Sequence, residues 1–421
     1  MQVNLIRGLL QDGDTQRAEE ILNACVHCGF CTATCPTYVE TGNELDSPRG
    51  RIYLIKEMLE TGRATAVTRR HLDRCVTCQS CETTCPSGVD YHHLVAIGRH
   101  TSEQLAPRNP AERLMRAALR RLLLSPRLLR ILLALGRACS PLLPAAVRRT
   151  YFPLREPDWL GTRVAAGDSA QGAAVILVPG CIQPSLRPET DQALARILDH
   201  FAVPLLAPGA AGCCGAASFH TSGEDQARAL ARRNIDCWWQ LYQQREVRAI
   251  VTTASGCGVH LQDYPALLQA DPIYGEKARA LAHLVRDPVE LLEELSQQQP
   301  GLLPRELGAG KQYAFHCPCT LQHGQGLNGR VERLLMHMGV ALPTIEDAHL
   351  CCGSAGTYSL LQPTMARALR AAKLRHLQAT GPDVIVTANI GCQLHLQGGT
   401  GTPVRHWLEL VADALDQPHA E

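Results

Sequence analysis

Two matched cysteine runs near the N-terminus constrain this chain more than any other feature. Both have the spacing C-x2-C-x2-C-x3-C-P; the first contains Cys25, Cys28, Cys31 and Cys35, and the second contains Cys75, Cys78, Cys81 and Cys85. Three thiolates spaced in this way lie on one tight loop, whereas the fourth cysteine, which is followed by proline, has left that loop. We therefore expect the fourth cysteine of each run to serve a different centre from the first three.

This spacing is typical of proteins that bind two 4Fe-4S clusters, in which the fourth cysteine of each run ligates the cluster of the other run. The predicted ligands are Cys25, Cys28, Cys31 and Cys85 for cluster 1, and Cys75, Cys78, Cys81 and Cys35 for cluster 2. Zinc is the alternative metal, but structural zinc sites usually pair two C-x2-C knuckles. Four cysteines in each run therefore favour iron–sulfur.

The composition narrows the possible functions. The chain has 421 residues, 19 cysteines, a net charge of +1 and 4% aromatic residues. Few aromatic side chains and a nearly neutral charge argue against nucleic acid as a partner. The first residues, MQVNLIRGLL, show no secretory signal, and no apolar run approaches the roughly 20 residues of a transmembrane helix. We expect a reducing cytosolic compartment in which most cysteines serve clusters.

Residues 1–107 are predicted to form a mainly helical, ferredoxin-like domain with both clusters. We predict a short helix over 14–22 and a second helix over 47–60, which Ser-Pro starts. Arg49 and Arg51 lie at the start of the second helix. They either approach a cluster and favour its reduced form, or they are two solvated arginines.

Residues 108–160 are predicted to form a basic amphipathic linker. Between positions 108 and 149 there are ten arginines, no lysine and one acidic residue, Glu112. Helical geometry predicts one stripe of six of them: Arg113, Arg116, Arg120, Arg127, Arg130 and Arg137. Ser125-Pro126 should break the helix. Such a helix can lie in a membrane interface, bind a partner subunit, or simply pack on the domain.

The second half of the chain contains an internal repeat, which we divide into residues 172–310 and 311–421. Its cysteines are Cys181, Cys213, Cys214 and Cys257 in the first copy, and Cys319, Cys351, Cys352 and Cys392 in the second. The offset between copies is 138 positions for the first three cysteines and 135 for the last. Cys317 breaks this register and is interpreted as a spare thiol.

Strand-like runs precede these cysteines and helical patterns fill the gaps, which predicts parallel α/β units. The cysteines then fall beyond the carboxyl ends of the strands, where ligands of such sheets collect. The fold class is thus multidomain α+β and α/β: a mainly helical ferredoxin-like domain followed by a pseudo-twofold repeated α/β domain. Each copy could bind one further Fe–S centre, both could share one, or the cysteines could be a buried pair with a redox disulfide.

Two histidines and two cysteines in or near the repeat are predicted to have structural roles. His260 and His395 occupy the same place in both copies, and a role at a helix start is favoured over a ligand or proton-relay role. Cys139 and Cys237 fit neither cysteine pattern and are predicted to be buried small residues.

With the twin cysteine runs and two Cys-Cys-Gly repeats, the chain resembles the iron–sulfur subunit of bacterial glycolate oxidase. The most specific matching stretches are 319–325, 349–358 and 387–395. The resemblance implies a complex with flavin-containing subunits that oxidise glycolate to glyoxylate, with D-lactate as a second candidate substrate. This chain would have no flavin and no catalytic residue. It would pass electrons to a membrane acceptor, expected to be quinone, from the cytoplasmic side of the inner membrane.

Related families leave alternatives open. These are the iron–sulfur subunits of glycerol-3-phosphate and lactate dehydrogenases, and a thiol–disulfide enzyme similar to heterodisulfide reductase. In heterodisulfide reductase a similar repeat continues to a terminal C-x2-C, whereas here the last position of each motif is His260 or His395. A zinc-stapled interaction scaffold without a redox role is the remaining alternative.

Overall fold

The computed structural model describes residues 3–10, 12–152, 173–209, 211–307 and 310–415. These residues are mostly helical, with two small parallel sheets in the second half of the chain. None of the described helices has both the length and the apolar composition needed to cross a bilayer.

The N-terminal part consists of helices wrapped around the two cysteine runs. They are α1 (Asp12–Ala24), α2 (Phe30–Ala33), α3 (Pro36–Thr41), α4 (Pro48–Thr61), α5 (Ala66–Asp73), α6 (Ser80–Thr83) and α7 (Tyr91–Leu105), with a 3-10 turn at Glu44–Asp46. Ser47 caps α4, because its Oγ accepts a hydrogen bond from the Gly50 N–H at 2.9 Å. Leu22, Ile55 and Leu94 are fully buried and hold α1, α4 and α7 together. Both helices predicted here are confirmed.

The linker forms three helices: α8 (Pro110–Leu123), α9 (Pro126–Ala138) and α10 (Ala145–Tyr151). The break at Ser125-Pro126 is confirmed, and residues 153–160 of the predicted linker lie outside the described ranges. The prediction of a single arginine stripe is wrong. Arg116 is buried with its Nη2 3.6 Å from Asp73 Oδ2, and Arg120 donates to the Thr221 carbonyl. These two arginines turn inward because acceptors of neighbouring elements face them.

The outer surface of α8 and α9 is apolar as well as basic. Seven large apolar residues of α8, α9 and the following turn are exposed: Leu114, Met115, Leu128, Ile131, Leu132, Leu135 and Leu142. Four of these apolar residues lie on α9, and the same helix has three exposed arginines, Arg127, Arg130 and Arg137. We call this surface the basic–apolar face.

The first copy of the repeat is a four-stranded parallel sheet in the order β2-β1-β3-β4 with helices around it. Its elements are β1 (Ala174–Leu177), α11 (Gln183–Leu186), α12 (Pro188–His200), β2 (Leu205–Leu206), α13 (Ala216–Phe219), α14 (Glu224–Gln244), β3 (Val247–Val251), α15 (Ser255–Gln262), α16 (Tyr264–Leu267), α17 (Gly275–Ala282), β4 (Val285–Arg286) and α18 (Pro288–Gln298). The central register pairs Ile176 with Ile250. All four residues of β1 are buried, as expected for a strand covered on both faces.

The second copy has the parallel order β5-β6-β7. Its elements are β5 (Tyr313–His316), α19 (Arg330–His337), α20 (Tyr358–Leu361), α21 (Pro363–Gln378), β6 (Val384–Thr387), α22 (Ile390–Gln397), β7 (Val404–His406) and α23 (Trp407–Leu415), with a π-helical turn at Thr320–Gly324. The predicted parallel α/β units are therefore present in both copies. One apolar cluster contains Val251 of the first sheet and Val386 of the second, so the copies share a core.

Candidate metal centres

The first cysteine run surrounds a cavity. Five cysteines line it: Cys25, Cys28, Cys31, Cys81 and Cys85. The loop can bend around one point because His27 and Gly29 have positive φ angles of 55° and 88°. The fourth cysteine of the opposite run, Cys85, thus lies at the same cavity as the first three cysteines of this run.

The second run surrounds another cavity. Its cysteines are Cys35, Cys75, Cys78 and Cys81. Thr77 and Gln79 repeat the positive φ angles of the first run, at 53° and 61°, so the two loops bend alike. Cys81 lines both cavities, which places the two predicted clusters next to each other.

Sulfur donors in these cavities suit a soft, positively charged group. All cysteines of the two runs are free thiols. Burial raises the pKa of Cys31 to about 11, and it also raises the pKa of Cys25, Cys78 and Cys81. Metal ligation requires the thiolate, so the positive charge of a bound cluster would have to stabilise these sulfurs as thiolates. The residues fit a cluster in each cavity.

Arg51 is a buried part of the second cavity. Its side chain is 1% exposed, and its Nη1 lies 3.9 Å from the Cys35 Sγ. The guanidinium also donates to the Thr37 Oγ1 at 3.0 Å and lies 3.5 Å from the buried carboxylate of Asp46. The interpretation as a solvated arginine is wrong for Arg51, because its hydrogen bonds replace water.

Arg49 behaves differently from Arg51. It lines the first cavity, is 35% exposed at the side chain, and its Nε pairs with Glu44 at 2.8 Å. Each predicted cluster therefore has one arginine beside it, but only the arginine of the second cavity is withdrawn from water.

The Cys-Cys-Gly motif has the same geometry in both copies. The N–H of Gly215 points to the Cys213 Sγ, and the N–H of Gly353 points to the Cys351 Sγ, both at 3.4 Å. Both glycines have positive φ, and a Cβ on Gly353 would lie 2.8 Å from the carbonyl oxygen of Ala366. Glycine is required here because no other residue has both the conformation and the space.

Each copy brings its four predicted cysteines together. Hydrogen bonds from Cys181 and Cys214 lower the pKa of Cys213, and Cys214 is in turn bonded to Cys257. In the second copy the Cys319 Sγ lies 3.7 Å from the Cys351 Sγ. There a hydrogen bond from Cys352 lowers the pKa of Cys392 to about 5.

The remaining cysteines lie apart from these sets. Cys317 is 5% exposed and belongs to the core shared by the two sheets, as its interpretation as a spare thiol implies. Cys237 is half-buried on α14. The prediction of a buried Cys139 is wrong, because it caps the surface helix α9 and is exposed.

Sequence reasoning missed His316. One of its ring nitrogens and the sulfurs of Cys352 and Cys392 all lie within 4.8 Å of one another. The available signal was its position at the end of β5, three residues before Cys319. Both repeated histidines lie in the last turn of their helices, so the predicted helix-start role is wrong; His395 Nε2 lies 3.1 Å from the Ala366 carbonyl.

The second copy contacts the second cysteine run directly. Cys78 and Cys351 lie in one apolar cluster, against which Cys319 packs. The Tyr358 hydroxyl donates to the Arg74 carbonyl at 2.9 Å, next to Cys75. Sulfur sites therefore follow one another from the first cavity through the second to the second Cys-Cys-Gly copy.

Comparison with known proteins agrees with these sites. Residues 21–89 match the 4Fe-4S dicluster domain family, and residues 175–262 and 313–397 match the family described as Cysteine-rich domain. The predicted pair of 4Fe-4S clusters and the predicted repeat are therefore confirmed.

Full-length relatives carry a consistent name. The chain is 46% identical to the glycolate oxidase iron-sulfur subunit of Escherichia coli (strain K12), over 99% of this chain and 100% of that protein. It is 30% identical to the probable glycolate oxidase iron-sulfur subunit of Bacillus subtilis (strain 168), over 90% and 89%. Lactate utilization protein A of Exiguobacterium sp. is 24% identical over 58% of this chain and 98% of that protein. The chain belongs to the family of glycolate oxidase iron–sulfur subunits.

Proposed function

We propose that this chain is the electron-transfer subunit of a flavin-dependent complex that oxidises glycolate, with D-lactate as a second candidate substrate. The observation that carries the proposal is the pair of cysteine-lined cavities that share Cys81, in a chain with a full-length relative named as a glycolate oxidase subunit. Substrate oxidation would take place at the flavin of partner subunits.

The proposed ligands are those predicted from the spacing: Cys25, Cys28, Cys31 and Cys85 for cluster 1, and Cys75, Cys78, Cys81 and Cys35 for cluster 2. The presence of Cys85 at the first cavity and Cys35 at the second supports this exchange of the fourth ligand. When bound, 4Fe-4S clusters accept and donate single electrons. Arg51 would stabilise the added negative charge at the second site, because it is positive and shielded from water.

We also propose the domain division at residues 107, 160 and 310, and a pseudo-twofold arrangement of the two copies. Ser255 Oγ and Thr320 Oγ1 lie 2.8 Å apart between the copies. By the repeat offsets, Ser255 corresponds to Ile390 and Thr320 corresponds to Ile182. Ile390 belongs to an apolar cluster against which Ile182 packs, so this second pair also lies close together. Reciprocal contacts of this kind are what a twofold relation produces.

For the acceptor, we propose a membrane quinone reached from the cytoplasmic side of the inner membrane, with the basic–apolar face as the contact. Ile131 and Leu135 are each 58% exposed and Leu142 is 88% exposed, close to exposed arginines of α9. Apolar side chains can enter the acyl boundary while arginines contact anionic headgroups.

Membrane contact can be tested by flotation of the full chain with anionic vesicles. Ile131→Glu combined with Leu135→Glu should abolish binding, while Leu360→Glu should leave it intact. Leu360 is a control because it is 59% exposed but belongs to α20 and not to the basic–apolar face. Equal flotation of both variants would contradict the membrane contact.

The electron-transfer role can be tested on the anaerobically purified complex with its flavin subunits. Glycolate should reduce both the flavin and the clusters. Cys78→Ser should preserve reduction of the flavin but slow reduction of an artificial quinone, whereas Cys317→Ser should not. A colourless chain that contains zinc, or unchanged quinone reduction in Cys78→Ser, would contradict the proposal.

A further inference from the structure

The second copy of the repeat contains a nitrogen donor among its sulfurs. His316 is 2% exposed, and its Nε2 has no hydrogen-bond partner among the described residues. A buried polar atom without a partner costs roughly 1–3 kcal/mol, so such an atom needs an explanation. The group formed by His316, Cys352 and Cys392 has the spacing of ligands to a common centre.

The first copy has no histidine at the position that corresponds to His316. The 138-residue offset places Val178 at the position of His316, and Val178 is fully buried and apolar. A second difference lies beside the last cysteine: Asn389 Nδ2 donates to the Cys392 Sγ at 3.6 Å, whereas the corresponding residue of the first copy is Ala254. The two copies are therefore alike in their cysteines but different in the groups that surround them.

We propose that the second copy holds a third iron–sulfur centre, and that His316 is its nitrogen ligand. The donors are Cys319, Cys351, Cys352, Cys392 and His316. Five donors exceed the four positions of a closed structural zinc site, so they suit a centre with more than one metal ion. The ligand assignment does not depend on the proposed electron-transfer role; only the use of this centre as an electron carrier rests on that role.

The chemistry of the ligand predicts its redox behaviour. Imidazole is neutral where thiolate is negative, so replacing a thiolate by imidazole raises the reduction potential of an iron–sulfur centre. The centre would lie beside the second cavity, because Cys78 and Cys351 belong to one apolar cluster. His316 would thus make the second copy a favourable electron acceptor for its all-thiolate neighbour.

Nitrogen ligation can be tested by pulsed EPR on the full chain, purified anaerobically with its partner subunits and labelled with ¹⁵N-histidine. We expect more than about eight irons per chain, the number that two 4Fe-4S clusters account for. We also expect one centre with a strong nitrogen coupling that changes with the label. His316→Cys should retain the iron, remove the coupling and lower the potential of that centre.

His316→Val, which copies the first-copy residue, should remove the coupling and lower the iron content toward about eight. The control is His260→Val, because His260 is also buried with a free Nε2 but lies in the first copy. That variant should preserve the coupling.

The inference would be overturned by zinc instead of additional iron, by the absence of coupling in the unmodified chain, or by coupling that persists in His316→Cys. Iron limited to about eight atoms in a complex that still passes electrons would overturn the third centre and leave the proposed relay intact.

Discussion

Replacing Arg51 by methionine should lower the reduction potential of the second cluster. Arg51 is the buried cation of that site, with its Nη1 3.9 Å from the Cys35 Sγ. Reduction adds a negative charge that this guanidinium stabilises. Methionine fills a similar apolar volume but carries no charge, so the reduced form loses more stability than the oxidised form.

The structure sets the size of this effect. At 3.9 Å two unit charges interact by about 4 kcal/mol at an effective dielectric constant of about 20. The added electron is shared among four ligand sulfurs and the metal ions, so about a quarter of this value, roughly 1 kcal/mol, is the lower bound. Since about 1.4 kcal/mol corresponds to about 59 mV for one electron, we expect a decrease of about 40 to 180 mV.

The substitution also has a cost in stability. The substitution removes one partner of the Asp46 carboxylate, which is fully buried. Two partners remain, His71 Nδ1 at 2.8 Å and Arg74 Nη1 at 2.9 Å. Removing one partner of a buried pair costs about 3–5 kcal/mol when no other partner remains, so we expect less than this. The variant should therefore fold and bind iron.

The assay is an EPR-monitored redox titration of the complex, with the iron content measured for each variant. Arg51→Lys retains the charge and should shift the potential less than Arg51→Met. Arg49→Met should affect only the first cluster, and weakly, because Arg49 is partly exposed and paired with Glu44. An unchanged second cluster in Arg51→Met, or an equal shift of both clusters, would refute the electrostatic reasoning.

Three further predictions follow from single residues. Cys319→Ser should lower the iron content, whereas Cys317→Ser should not, because Cys317 lies in the shared sheet core; equal iron in both variants would contradict Cys319 as a ligand. Burial raises the pKa of Asp191 to about 7, so its carboxyl stays protonated in the folded chain below about pH 7, and the folded state loses stability as the pH rises from about 4 to about 7. Asp191→Asn should therefore raise the melting temperature relative to the unmodified chain at pH 8 but not at pH 4, and equal differences at both pH values would contradict this. Tyr358→Phe removes the hydrogen bond to the Arg74 carbonyl and should cost about 1 kcal/mol in thermal unfolding, with iron content unchanged; lost iron would mean that this bond positions the second cluster loop.

Local patterns in the sequence predicted much of the fold. Ser47-Pro48 and Ser125-Pro126 marked helix boundaries, because a helix tolerates proline only in its first turn. The equal offsets between the two sets of cysteines predicted the repeat, and in the structure the glycine of each Cys-Cys-Gly motif has a positive φ.

Predictions were less successful where they depended on which other element packs against a side chain. Arg116 belonged to an apparent surface stripe, but its partner Asp73 comes from another helix and draws it inward. Cys139 was expected inside by residue type alone, yet it is exposed. Periodicity reports which residues share a helix face, but it does not report what faces them.

The sequence by itself determined the chemistry of this protein: the spacing of sulfur ligands is a local property, and thiolates in that spacing select iron–sulfur. Only the tertiary structure decided the surroundings of those sulfurs. It brought His316 to Cys352 and Cys392, placed Arg51 against Cys35, and set Cys78 beside Cys351. These contacts join residues that lie apart in the chain, so they depend on how strands and helices pack and not on local spacing.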